Sequence, residues 1–162
     1  MSHTSPAARA ALATVALHAA HAVADHWVQT DQQARRKGLP GSEGRRACAA
    51  HVASYVATQA LALYAANRVT GAGIRPGRAA LALAVSAVAH YVADRRTPLR
   101  RFAEATGLGE FYALGQPRAG RDDNPSLGTG AYALDQSWHL ATSVLVPALI
   151  LAGGARGRAG RA

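Results

Sequence analysis

Two stretches of this chain, residues 47–66 and 79–92, contain no Asp, Glu, Lys or Arg. As helices they would run for about five and a half and about four turns. A helix of a water-soluble bundle turns only one stripe to the core and decorates the rest with charge. These stretches have no such decoration, so water is a poor solvent for them. Elsewhere the chain is strongly basic, with 18 Lys+Arg against 9 Asp+Glu and a net charge of +9. Its mean hydropathy of -0.02 therefore averages two populations, alanine-rich uncharged segments and arginine-rich connectors punctuated by Gly and Pro.

Four segments have helical composition, at about residues 6–30, 45–68, 77–97 and 130–153. Each is close to the roughly 20 residues that carry a helix across a bilayer core of about 30 Å. Pro147 lies inside the fourth, where neighbouring helices can satisfy the carbonyl that a proline frees. Within the third connector, TPLRRFAEATG reads as a short helix, with Thr97 as cap, Pro98 in the first turn and Gly107 as stop. Leu99, Phe102 and Ala103 share one of its sides, and Arg100 and Arg101 lie nearby, a pattern suited to a membrane surface. The expected fold is all-α: a four-helix transmembrane bundle in one domain over residues 1–154, with a short interfacial helix, then a disordered basic tail at 155–162.

Ala22-Val23-Ala24 has the small residues of a signal-cleavage site, but His18 and His21 do not suit an apolar leader, so the segment is expected to be retained. A single cysteine, Cys48, excludes an internal disulfide framework and Cys-based zinc knuckles, and is expected to be a buried small hydrophobe. Four spans would put both termini and the middle connector on one side, with seven positive residues. The first and third connectors would carry eleven. The positive-inside bias then places those two connectors in the cytoplasm and the chain in the inner membrane as a multi-pass protein. The arginines sit in connectors with no helix-turn-helix pattern or aromatic platform, so no specific nucleic acid is expected.

The ionisable residues of the apolar segments are not scattered. His21 and Asp25 are an i,i+4 pair near the end of the first segment, with Gln29 one turn on. His51 lies early in the second, followed at helical spacing by Tyr55 and Gln59. His90 and Asp94 repeat the pair at the end of the third, with Ser86 one turn before. Asp135 and His139 invert it at the start of the fourth, beside Gln136. An i,i+4 pair stacks on one helix face, the geometry by which one helix offers two ligands to one ion. In an up-and-down bundle all four sets fall at one leaflet. Three carboxylates and four imidazoles without a thiolate suit a divalent transition metal such as zinc, manganese or iron, as one ion or two. His3, His18 and His26 are left as structural or surface residues, Trp27, Tyr132 and Trp138 as interfacial aromatics, and Asp122, Asp123 and Asn124 as a turn.

HAVADHWVQTD, then His51, then HYVAD, then LDQSWHL resembles Domain of Unknown Function 3307, a family of bacterial and phage membrane proteins. His21, Asp25, Gln29, His51, His90, Asp94, Asp135, Gln136 and His139 fall on its pattern, over about residues 12–145. The chain departs from it in having fewer Leu, Ile and Phe, and in His26 where an aromatic is common. The resemblance implies a helical membrane protein and supplies no reaction. A looser similarity to bacterial membrane-bound metal-dependent hydrolases implies metal chemistry by analogy only.

The expected function is an integral membrane protein with a metal at His21, Asp25, His51, His90, Asp94, Asp135 and His139, supported by Gln29 and Gln136. Such a centre suits hydrolysis, with a spare Asp as base and Arg95 and Arg96 near an anionic lipid or phosphate. The alternative is a non-enzymatic membrane protein whose His/Asp pairs hold helices together or meet a partner.

Overall fold

The computed structural model describes residues 4–116 and 128–153, and among these the chain is helical without strands. The expected turn at Asp122–Asn124, the basic tail and His3 lie outside them. Helix α1 runs Pro6–Val28, its last turn (Ala24–Val28) π-helical. Helix α2 is Asp31–Arg36, α3 Gly41–Thr70, α4 Pro76–Asp94, α5 Thr97–Ala105 and α6 Gly109–Ala113. Helix α7 covers 130–152: Gly130–Trp138, a π-helical stretch His139–Leu145, and Val146–Ala152.

Local chemistry explains most of these ends. The Ser5 side chain accepts from the Ala8 N–H and Pro6 opens α1, where a missing N–H costs nothing. Thr30 and Gln33 form a reciprocal capping box on α2. Gly71, at φ 64°, closes α3 in the left-handed conformation that only glycine adopts freely. The Thr129 hydroxyl accepts from the Tyr132 N–H at the start of α7.

Helices α1, α3, α4 and α7 form the bundle in that cyclic order, α7 packing on both α4 and α1. The core at one end is Ala13, Leu17, Leu63, Ala82, Val144, Ala148 and Leu151. Arginines seal that end. Arg9 donates to the Ala72, Ala152 and Thr4 carbonyls, and Arg78 to the Ile150 carbonyl. Two of these, Ala152 and Ile150, are C-terminal carbonyls of α7, which have no helical partner.

The elements depart from the expected four equal spans. Helix α3 is 30 residues, about 45 Å, and starts at Gly41, so its first turns carry Glu43, Arg45 and Arg46. Among the described residues one helix, Pro6–Val28, is long and apolar enough to cross a membrane, with mean hydropathy 1.2. The shortfall has a simple cause: each His, Ser or Gln and the charged helix ends subtract, and few Leu, Ile or Phe offset them. The cap of α5 is Arg96 and not Thr97. Only Arg95 and Arg96 separate α4 from α5, so the reversal falls on Arg96, at φ 58°. Leu99 and Ala103 bury this helix against its own bundle, while Phe102 is half-exposed with its ring edge-on to Trp138.

Candidate metal centre

The bundle end opposite the apolar core is polar. It is built from the last turns of α1 and α4 and the early turns of α3 and α7. All seven expected ligands are there, in three overlapping groups: His21, Asp25 and His90; His51, His90 and Asp94; and Asp94, Asp135 and His139. Within each group one donor atom per residue lies within 4.8 Å of the others.

Four atoms are closer still. His51 Nε2 is 3.0 Å from His90 Nε2, and these two lie 3.3 and 3.2 Å from Asp94 Oδ2. Asp25 Oδ1 is 3.3 Å from His51 Nε2 and 3.6 Å from His90 Nε2. Ligands about 2.1 Å from a common ion stand about 3.0 Å apart at a right angle and about 3.4 Å apart at the tetrahedral angle. A divalent ion would fit this spacing, as does a hydrogen bond between the two Nε2 atoms. Asp25 Oδ1 and Asp94 Oδ2 are buried with imidazole nitrogens at 3.2–3.6 Å, and His51 Nδ1, His90 Nδ1, His139 Nε2 and Gln29 Oε1 are buried without a hydrogen-bond partner. Buried polar atoms are rarely left so. An ion accounts for the two carboxylate oxygens, and for one His139 nitrogen if it is ligated. His51 and His90 would then carry their protons on Nδ1.

The remaining site residues hold these in place. His21 Nδ1 lies 3.3 Å from both Asp25 Oδ2 and the Tyr55 hydroxyl, and its Nε2 is 3.3 Å from Gln136 Oε1. With both nitrogens engaged, His21 orients Asp25. Gln136 also donates to Asp135 Oδ2, which is 3.3 Å from His139 Nδ1, so it ties α1 to α7. Gln29 contributes its backbone N–H to the Ala24 carbonyl, closing the π turn that presents Asp25. His18 and His26 are exposed, and Cys48 is buried, its thiol toward the Tyr91 carbonyl.

Two contributors have no expected role in the sequence reading. Lys37, from the connector after α2, places Nζ 2.8 Å from Asp94 Oδ1. It is held there by Arg95, whose guanidinium donates to the Lys37 and Leu39 carbonyls. Arg95 is therefore engaged with backbone. The pairing of Lys37 with Asp94 needs the tertiary fold and has no local signal. Ser143 did have one: it is four residues before Pro147. Its carbonyl, which a proline cannot serve, accepts from Gln59 Nε2 at 3.1 Å and Ser86 Oγ at 3.0 Å. Gln59 also donates to the Tyr55 hydroxyl, and Ser86 to Gln59 Oε1. A polar ladder thus runs from His21 into the bundle.

The three carboxylates and Lys37 leave two formal negative charges in a mostly buried space before any imidazole proton is counted. That is the charge of one divalent cation. Compared with protein families, with curated proteins and with solved structures, the chain finds no match.

Proposed function

We propose that this protein is a multi-pass inner-membrane protein that binds a divalent transition metal, zinc, manganese or iron, through Asp25, His51, His90 and Asp94. We propose further that it uses the metal in hydrolysis, by analogy with membrane-bound metal-dependent hydrolases. The observation that carries the reading is the set of four donor atoms from three helices, five of whose six separations are 3.0–3.6 Å.

Membrane placement is supported by the apolar surface. Val15, Leu61, Leu81, Val88 and Leu149 are each more than half exposed, and α3 and α4 lack charge over residues 47–66 and 79–92. An open apolar groove of about 550 Å³ lies between α4 and α7, lined by Val85, Val88, Ala89, Val92, Trp138 and Val146. Large contiguous apolar surface marks a lipid or partner interface.

A bound cation of this kind supplies Lewis acidity toward water and toward a phosphoryl or acyl oxygen. The chain's own part is orientation and proton handling. Lys37 fixes one oxygen of Asp94, and His21 fixes one oxygen of Asp25, so the other oxygens face inward. Asp135, with 28% of its side chain exposed, is the carboxylate best placed to accept a proton at the mouth.

Elemental analysis of detergent-purified protein tests the reading. Bound transition metal is expected, lost in His90→Ala. Metal-free protein whose thermal stability ignores chelators would instead favour the polar-contact alternative, for which the Tyr55–Gln59–Ser86–Ser143 ladder is the precedent within this same bundle.

A further inference from the structure

We propose a second cation position beside the first, formed by Asp94, Asp135 and His139 and sharing the Asp94 carboxylate, so that the centre is dinuclear and takes a phosphate-type anion. This rests on the metal centre proposed above and extends it.

The three ligand groups overlap in an informative way. His90 belongs to the first and second, Asp94 to the second and third. A neutral imidazole offers one lone pair and serves one ion, whereas a single carboxylate oxygen has two, so Asp94 Oδ2, the oxygen that Lys37 does not hold, can be shared. Once His90 is committed to the set with His51, Asp25 and Asp94, the group containing His21 cannot form independently. Its His21 nitrogens are also already engaged by Tyr55 and Gln136. The group of Asp94, Asp135 and His139 shares only a carboxylate with the first position, so both can fill together.

A separate observation points to a ligand there. His139 is fully buried, its Nδ1 facing Asp135 Oδ2 at 3.3 Å and its Nε2 without a hydrogen-bond partner. A buried imidazole with an unpartnered ring nitrogen beside a carboxylate is costly unless a ligand engages the pair. Asp135 Oδ2 stands 3.3 Å from His139 Nδ1, close to the separation of two ligands on one ion. The two positions also differ in access. Asp94 and Asp25 are 3% and 10% exposed, whereas Asp135 is 28% exposed. An exchangeable ligand would therefore enter on the Asp135 side.

Charge then selects the ligand. Two divalent cations among three carboxylates, with Lys37 2.8 Å from Asp94, leave an excess of two positive charges. A mostly buried centre of that charge calls for a compact polyanion, and a phosphate group spans paired ions through two of its oxygens.

The test uses full-length detergent-purified protein, stripped by chelator and titrated with Mn²⁺ alone, following bound equivalents and the paramagnetic resonance spectrum. Two equivalents with a spin-coupled spectrum are expected for the wild type. One equivalent with an isolated-ion spectrum is expected for His139→Ala and Asp135→Asn, and inorganic phosphate should tighten the second equivalent in the wild type only. Asp135→Asn sits at a partly exposed position, and carries the comparison if His139→Ala does not fold. A single wild-type equivalent that both variants retain overturns the second position and leaves the first standing. A wild type that binds neither Mn²⁺ nor Zn²⁺ overturns both.

Discussion

Asp94 is the residue on which the polar end turns. One of its oxygens meets Lys37 and the other faces two imidazoles, all with 3% of its side chain exposed. In metal-free protein Asp94→Asn leaves the Lys37 ammonium largely buried opposite a neutral amide, and is expected to cost about 3 kcal/mol. Adding Lys37→Met to that variant should recover much of the loss, because the stranded charge is gone. Denaturant unfolding of the single and double variants decides it; no recovery would mean that Lys37 is solvated some other way. Metal affinity should separate ligands from orienting groups. His51→Ala is expected to abolish binding, while His21→Ala weakens it roughly 10–100-fold, the usual effect of losing a residue that orients a ligand. Titration with Zn²⁺ and a competing chelator reads both. The i,i+4 pairs were visible in the sequence because helical spacing alone stacks them. Lys37 was not, because its approach to Asp94 depends on Arg95 folding the first connector back over α4.

Helix boundaries followed from side chains whose chemistry is local: Ser5, Pro6, Thr30, Gly71, Pro76 and Pro98 all act within a few residues. The π turns at Ala24–Val28 and His139–Leu145 were not legible, since an i+5 ladder leaves no residue signature. Both lie where ligands are presented, as such turns often do. In α7 the distortion has an identifiable partner. Pro147 frees the Ser143 carbonyl, and Gln59 from α3 and Ser86 from α4 fill it. Gln59→Leu is thus expected to destabilise by about 1–3 kcal/mol, the penalty of a buried carbonyl and hydroxyl losing a partner. Pro147→Ala restores a backbone N–H near that carbonyl, so Gln59→Leu should cost less in the Pro147→Ala background. A double-mutant cycle measures the coupling. Strict additivity would separate Gln59 from the proline.

At the scale of the whole molecule, the arginines divide by task. Arg9 and Arg78 seal one end of the bundle and Arg95 braces the other, each against backbone carbonyls. Their number therefore says less about external anions than the net charge suggests. The charge that remains informative is its distribution along the chain. Eleven positives in the first and third connectors, against seven elsewhere, orient the polar end toward the cytoplasm if the four long helices span. That geometry gives a direct expectation. Cys48 is buried, so with Cys48→Ala as background, single cysteines can report each end. Gln32→Cys marks the exposed start of α2 near the polar end, and Thr70→Cys the exposed end of α3 at the other. In intact cells a membrane-impermeant maleimide should label Thr70→Cys and leave Gln32→Cys unreacted until the inner membrane is permeabilised. The reverse pattern would invert the orientation and put the metal centre on the outer face. Recovery of both variants in the soluble fraction would remove the bilayer from the account, leaving the uncharged faces of α3 and α4 to be covered by protein instead.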